Sequence, residues 1–254
     1  MATIRILAIG NSFSEDAAYY VHPMAAAAGA QVKIVNLYIG GCSMETHWRN
    51  MESGEAVYQY QLNGMNTDRY VSVEEALREE AWDYIVTQQA SHDSGWLDTY
   101  TPFIGKMQAY IRQNAPSAEL LLHETWAYEI DSSHEAFMRY NRSQTEMFER
   151  LRHAYRMIAQ DYGLRLIPSG EVIQHMRGLS PFRYAQGEMS LCRDGFHMSF
   201  LYGRYLLACV WTAYLLHLPL VDSTFVPSTA LAPEEQADLV ILRTIREGVA
   251  EALA

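Results

Sequence analysis

Residues 4–12 read Ile-Arg-Ile-Leu-Ala-Ile-Gly-Asn-Ser, an aliphatic run that ends in a Gly10-Asn11-Ser12 turn. A continuous apolar run, rather than a strict alternation, is typical of a strand buried on both faces of a sheet. The next residues, from Phe13 onward, are helical in composition. The stretch therefore predicts a strand, a tight turn and a helix, which is the opening unit of an α/β fold.

The same strand pattern occurs four more times along the chain, each time bounded by polar or turn-forming residues and separated by helical segments. These strands are predicted at Val32–Tyr38, Tyr84–Thr87, Glu119–His123 and Leu164–Ile167. The sequence thus predicts a single domain over residues 1–254, a three-layer α/β/α sandwich of flavodoxin-like topology with a mainly parallel, five-stranded sheet.

Two segments outside the strands also carry predictions. Residues 44–72 contain Asn63-Gly64, a favoured hairpin turn, and do not fit a helix, so we expect an inserted hairpin or a surface loop. Residues 134–162 are predicted to form one long helix that ends at Gly163.

Composition excludes several classes of protein. The chain has 254 residues, 49% of them hydrophobic, so it can bury a sizeable core without a disulfide or metal. Its three cysteines form no CxxC pair, and no histidine run has the spacing of a zinc site, so neither metal nor cofactor is expected. A net charge of −11 without basic clusters argues against a nucleic acid or an anionic membrane as partner.

The sequence says little about compartment or assembly. Its first apolar run is too short for a signal peptide, which makes the cytoplasm the default compartment, or export if a leader was removed. Nothing in the sequence specifies an oligomeric state.

Residues that follow the predicted strands are the candidates for chemistry, because ligands bind at the carboxyl ends of parallel strands. Ser12 follows the first strand, where free N–H groups at a helix start can stabilise an anion, although position alone favours a helix-capping role for Ser12 or Ser14. Near the other terminus, Asp194 and His197 are three residues apart on one predicted turn. A carboxylate in that place can orient the imidazole as a general base for a hydroxyl.

Together, Gly10-Asn11-Ser12 and the Asp194-Gly-Phe-His197 block resemble the SGNH or GDSL-type esterases and lipases, in order and in position. The resemblance implies Ser12 as nucleophile, His197 as general base and acid, and Asp194 as the residue that orients it. It also implies an oxyanion hole formed by the N–H groups of Ser12 and Gly41, because Gly41 follows the second strand as in that family.

The sequence motif that follows the third strand in that family is different in this chain. Where the family has an asparagine after the third strand, this chain has Thr87-Gln-Gln-Ala-Ser-His-Asp93, and it is similar to a little-characterised branch with glutamine there. An amide N–H could come from the side chain of Gln88 or Gln89. Counted from the end of the strand, His92 falls near the position that the asparagine occupies in that family. Gln88 is the favoured third donor of the oxyanion hole.

The resemblance implies hydrolysis of a carboxylic ester through an acyl-enzyme. We expect a short acyl group, such as acetyl on a carbohydrate, since polar and aromatic residues follow the strands. Asn11, His92 and Trp126 are the substrate-binding candidates, Trp126 because an indole can stack on a sugar ring. The alternative is a non-catalytic carbohydrate or small-molecule binding module with the same fold, which would need neither Asp194 nor His197.

Overall fold

Seven strands form one sheet in the computed structural model, which describes residues 2–254. The strands are β1 (Ile4–Gly10), β2 (Val32–Tyr38), β3 (Tyr58–Leu62), β4 (Met65–Val71), β5 (Tyr84–Thr87), β6 (Glu119–His123) and β7 (Arg165–Ile167). Their order across the sheet is β4-β3-β2-β1-β5-β6-β7. β1, β2, β5, β6 and β7 are parallel, while β3 and β4 run antiparallel at one edge.

The predicted fold class is confirmed, and the predicted strand number is corrected from five to seven. The five predicted strands are the parallel ones, whose aliphatic side chains are buried between two layers of helices. The two further strands are the arms of a hairpin that extends the sheet beside β2. β4 is largely exposed, which explains why its sequence lacks the continuous apolar character of a central strand.

Within the described part of the chain, nine α-helices cover the two faces of the sheet. They are α1 (Ser12–Ala18), α2 (Val21–Ala27), α3 (Met44–Ser53), α4 (Val73–Glu79), α5 (Phe103–Asn114), α6 (Gln144–Tyr162), α7 (Ser169–Met176), α8 (Tyr202–Leu216) and α9 (Leu239–Leu253). One layer contains α1, α2, α7, α8 and α9, which pack on one another. The opposite layer contains α3, α4, α5 and α6. In residues 2–254, no helix combines the length and the apolar character needed to cross a bilayer.

Two helix predictions were wrong. Residues 44–53 form a helix, capped by Ser43 and closed by Gly54, and only the segment from Tyr58 to Val71 forms the hairpin. The predicted long helix is interrupted at Asn141 and Arg142, which have φ values of 53° and 52°. A short 3₁₀ helix precedes the break, and Ser143 caps α6 after it.

Candidate active site

Ser12 is the first residue of α1, directly after β1. The Asn11 side chain caps this helix by accepting the Phe13 N–H at 3.0 Å, and the Asn11 N–H donates to Ser14 Oγ at 3.0 Å. The capping role considered for Ser12 therefore belongs to Asn11. This leaves the Ser12 hydroxyl available for other contacts.

The Asp194-to-His197 segment forms a tight turn. Asp194 Oδ1 accepts the backbone N–H of His197 at 2.8 Å, and its other oxygen, Oδ2, lies 2.7 Å from His197 Nδ1. Gly195 has a φ of +86°, and a β-carbon there would come within 2.9 Å of Ser132 Cα, so the turn requires glycine. One carboxylate thus fixes both the backbone and the ring of His197.

The structure brings Ser12, His197 and Asp194 together. His197 Nε2 lies 2.8 Å from Ser12 Oγ, although the two residues are 185 positions apart in the chain. With Nδ1–H donated to the Asp194 carboxylate, Nε2 is the acceptor for the serine proton. Burial alone would raise the pKa of Asp194, but the hydrogen bonds from His197 outweigh it and hold that pKa below its usual value.

Asp16, which the sequence analysis did not single out, anchors the His197 turn to α1. Its fully buried carboxylate accepts from Arg204 Nε at 2.8 Å, from Arg193 Nη1 at 3.0 Å and from the Met198 N–H at 2.9 Å. Hydrogen bonds from two arginines and one backbone N–H offset the cost of burying this carboxylate and satisfy both of its oxygens. The contact joins the helix that carries Ser12 to both sides of the turn that carries His197.

Two residues that line the cavity around Ser12 have backbone N–H groups that can bind an oxyanion. Ser12 is at the N1 position of α1, where an N–H has no partner within the helix. Gly41 follows β2 in a turn with a φ of +65°. Over residues 2–254, neither N–H donates to another protein group, and both residues line the same cavity. The pair fits the predicted oxyanion hole.

Gln88 does not line this cavity. Its amide Nε2 donates to Asn11 Oδ1 at 2.9 Å, and its Oε1 accepts from His123 Nδ1 at 2.6 Å. Burial lowers the pKa of His123 to about 3, so the ring is neutral, and its Nε2 faces Ser169 Oγ at 2.9 Å. The expectation that Gln88 donates to the oxyanion does not match this arrangement, because its amide is committed to the Asn11 cap.

The other two candidates for the third oxyanion donor, Gln89 and His92, differ in whether they reach the cavity. Gln89 is buried, and its side chain is occupied by the Met44 N–H and by Thr99. His92 instead lines the cavity, half-buried, with Nε2 3.4 Å from Asp93 Oδ2. Of the three residues considered, His92 is the one that faces the space beside Ser12.

The cavity has a volume of about 300 Å³ and contains the Ser12 hydroxyl. Besides the residues above, its wall includes two groups of side chains that the sequence did not indicate. They are aromatic or imidazole rings (Phe13, Tyr38, His134, Phe196) and two side chains of opposite charge (Glu15, Arg193). Burial, with repulsion from His92 and His197, lowers the pKa of His134, which favours its neutral form.

Two predicted substrate-binding residues lie outside the cavity. Trp126 is fully buried, stacks on Phe13 with ring centroids 4.1 Å apart, and donates to the Phe196 carbonyl at 2.7 Å. Asn11 is 1% exposed and serves as the helix cap. Both predictions were wrong, because each side chain is buried and packs beneath the residues that line the cavity.

Comparison with solved structures agrees with this fold. The chain superposes on a DUF4886 family protein from Bacteroides uniformis with a TM-score of 0.89 and 33% identity, covering 99% of this chain and 95% of that one. At lower identity, it is similar to a candidate SGNH hydrolase from Slackia heliotrinireducens (22% identity, TM-score 0.54, 84% and 100% covered). It is also similar to a catalytic mutant of an acetylxylan esterase from Geobacillus stearothermophilus (12%, 0.53, 89% and 97%). The fold is thus that of SGNH hydrolases.

No curated protein sequence matches the chain significantly. A family model does match it, over residues 5–240, and this range includes β1, the Ser12 turn and the Asp194-to-His197 turn. By this match, the chain belongs to the family described as a domain of unknown function, DUF4886.

Proposed function

We propose that the protein is a serine esterase that hydrolyses a short-chain carboxylic ester, with an acetyl group on a carbohydrate as the substrate. Ser12 is the nucleophile, His197 the general base and acid, and Asp194 the residue that orients His197. The N–H groups of Ser12 and Gly41 bind the oxyanion, and His92, which lines the same cavity, is the third donor that we propose.

In the first half-reaction, Ser12 Oγ attacks the ester carbonyl carbon while its proton moves to His197 Nε2. The carbonyl oxygen becomes an oxyanion facing the two backbone N–H groups. When the tetrahedral intermediate collapses, the bond to the alcohol oxygen breaks and His197 returns its proton to that oxygen. The alcohol leaves, and the acyl group remains on Ser12.

The second half-reaction repeats these steps with water. His197 removes a proton from water, the resulting hydroxide attacks the acyl carbon, and a second tetrahedral intermediate forms. Its collapse breaks the bond to Ser12 Oγ, which takes the proton back from His197. The carboxylic acid leaves and the enzyme returns to its starting state.

The observation that carries this proposal is the hydrogen-bonded series Asp194, His197 and Ser12, with separations of 2.7 and 2.8 Å. A binding module has no need for an imidazole held between a carboxylate and a hydroxyl. A short acyl group is supported by the cavity, whose volume of about 300 Å³ is small for a binding site. The acetylxylan esterase among the structural relatives supports a carbohydrate ester.

A fluorophosphonate probe tests the nucleophile directly, because such probes modify activated serines. We expect mass spectrometry to locate the label on Ser12, with no label in Ser12→Ala and at least a roughly 100-fold slower reaction in His197→Ala. Ser117→Ala, at an exposed serine outside the cavity, is the matched control and should react like the wild type. An unlabelled wild-type protein would favour the binding module instead.

A second prediction concerns Gln88, because its amide donates a hydrogen bond to Asn11, the residue that caps the helix beginning at Ser12. With 4-nitrophenyl acetate, we expect Gln88→Ala to lower kcat by about 10- to 100-fold with little change in KM, since a loosened Asn11 misplaces Ser12. Gln108→Ala removes a comparable, largely buried amide that donates to the Tyr162 carbonyl, and should leave kcat unchanged. A raised KM at unchanged kcat would instead assign Gln88 to substrate binding.

A further inference from the structure

A second cavity, of about 420 Å³, adjoins the one that contains Ser12. The two cavities share Glu15 and Arg193 as wall residues, so they meet at these two side chains. The far wall is formed by Gly64 in the hairpin tip, by Met65 and Asn66 at the start of β4, and by the loop at Leu231. A ligand bound at Ser12 can therefore extend past Glu15 into the second cavity.

The hairpin formed by β3 and β4 has a fixed position beside this cavity. Asn63 and Gly64, with φ values of 52° and 84°, form its tip, and a β-carbon on Gly64 would lie 2.3 Å from the Tyr19 carbonyl oxygen. Only glycine allows so close an approach to the end of α1. The position of the hairpin tip relative to Ser12 is thus set by direct backbone packing.

Hydrogen bonds then connect the hairpin to the floor of the cavity. Gln61 Nε2 donates to Glu15 Oε1 at 2.6 Å and to Asn66 Oδ1 at 2.7 Å. Asn36 Nδ2 donates to Gln61 Oε1 at 2.7 Å, which fixes the orientation of that amide. As a result, Glu15 keeps its second oxygen as an acceptor, and Asn66 keeps its amide N–H groups as donors.

Charge and polarity indicate what the second cavity can bind. The positive charges of Arg193 and Arg204 are matched by the negative charges of Glu15 and Asp16, so the wall has no net charge that would attract an anion or a cation. The carboxylate and the amide suit hydroxyl groups, while Phe200 and the exposed Leu231 offer apolar surface. This mixture fits a neutral sugar better than a long acyl chain.

Resting on the proposed esterase function, we propose that the second cavity binds the sugar unit next to the one that carries the acyl group. The enzyme then prefers an acylated oligosaccharide to an acylated monosaccharide. The preference arises from the hairpin tip and the Leu231 loop, and not from the residues around Ser12.

Acetate release from acetylated β-linked saccharides of one and two units tests the proposal. We expect kcat/KM to rise about tenfold from one unit to two in the wild type, an ordinary gain for one additional site. Leu231→Arg, at a position 54% exposed and therefore tolerant of substitution, should reduce that ratio to about one. Val240→Arg, at an exposed position on α9 away from both cavities, should keep the wild-type ratio.

The alternative outcomes are distinct. Equal kcat/KM for one and two units, with 4-nitrophenyl acetate still hydrolysed, would overturn the sugar site and leave the esterase function intact. A preference for 4-nitrophenyl octanoate over acetate that Leu231→Arg abolishes would overturn it too, by assigning the cavity to acyl chains. A wild type inactive on 4-nitrophenyl acetate and on all of the saccharides would overturn the esterase function itself.

Discussion

Replacing Ser12 with alanine is expected to lower kcat for 4-nitrophenyl acetate by about 10⁴-fold or more, because the acyl-enzyme can no longer form. His197→Ala should cost a comparable factor, since the Ser12 hydroxyl then loses its proton acceptor 2.8 Å away. The double variant should be little worse than either single one, because the two side chains act as one unit. Initial rates of nitrophenolate release, corrected for spontaneous hydrolysis, measure all three.

Ser117→Ala again serves as the control and should retain the wild-type kcat. If Ser12→Ala retained more than a tenth of the wild-type rate, the nucleophile would have to be a different group. Additive losses in the double variant would likewise contradict a shared step, because they would mean that Ser12 and His197 contribute independently.

Asp16→Ala is expected to lower the free energy of unfolding by about 3 kcal/mol or more, because it leaves the almost completely buried Arg204 without its carboxylate. The N–H of Met198 loses its acceptor in the same variant, so the His197 turn loses its attachment to α1. Urea denaturation measures the stability, and residual esterase activity in the absence of urea reports the displacement of the turn.

The matched control for Asp16→Ala is Glu247→Ala, which removes a carboxylate from an exposed ion pair with Arg243 on α9. Such pairs contribute little, so we expect the unfolding curve to overlay that of the wild type. An Asp16→Ala protein as stable as the wild type would mean that the two arginines find water or other acceptors, and that the anchor is dispensable.

The parallel strands could be predicted from the sequence because burial on both faces imposes a continuous aliphatic run. The hairpin was indicated by Asn63-Gly64, but the same signal led to a wrong prediction for residues 44–53. There the cap at Ser43 and the buried positions Met44, His47 and Met51 on one face specify a helix, despite its polar composition. The break before α6 has no glycine or proline, and only the cap at Ser143 marks it.

The site was predictable only in part. The cluster of Ser12, Asp194 and His197 could be predicted because each residue lies in a short local motif at the end of a strand or before a helix. The roles of Gln88 and Trp126 could not, because each is decided by a long-range contact: Gln88 with Asn11, and Trp126 with Phe13 and Phe196. Counting along a strand predicts the position of a side chain in the sheet. It does not reveal which distant residue that side chain will contact.

The Asp16 anchor also determines how much of the chain must be made before the candidate site can assemble. Its partners Arg193 and Arg204 lie 177 and 188 positions further along the chain. During synthesis, a nascent polypeptide held on the ribosome before Arg193 has been made contains Ser12, the proposed nucleophile, but neither His197 nor this attachment. If the protein is an esterase as proposed, recovery of turnover after refolding should therefore report the docking of these two distant parts of the polypeptide, and fragments that lack the Asp194-to-His197 turn should be inert.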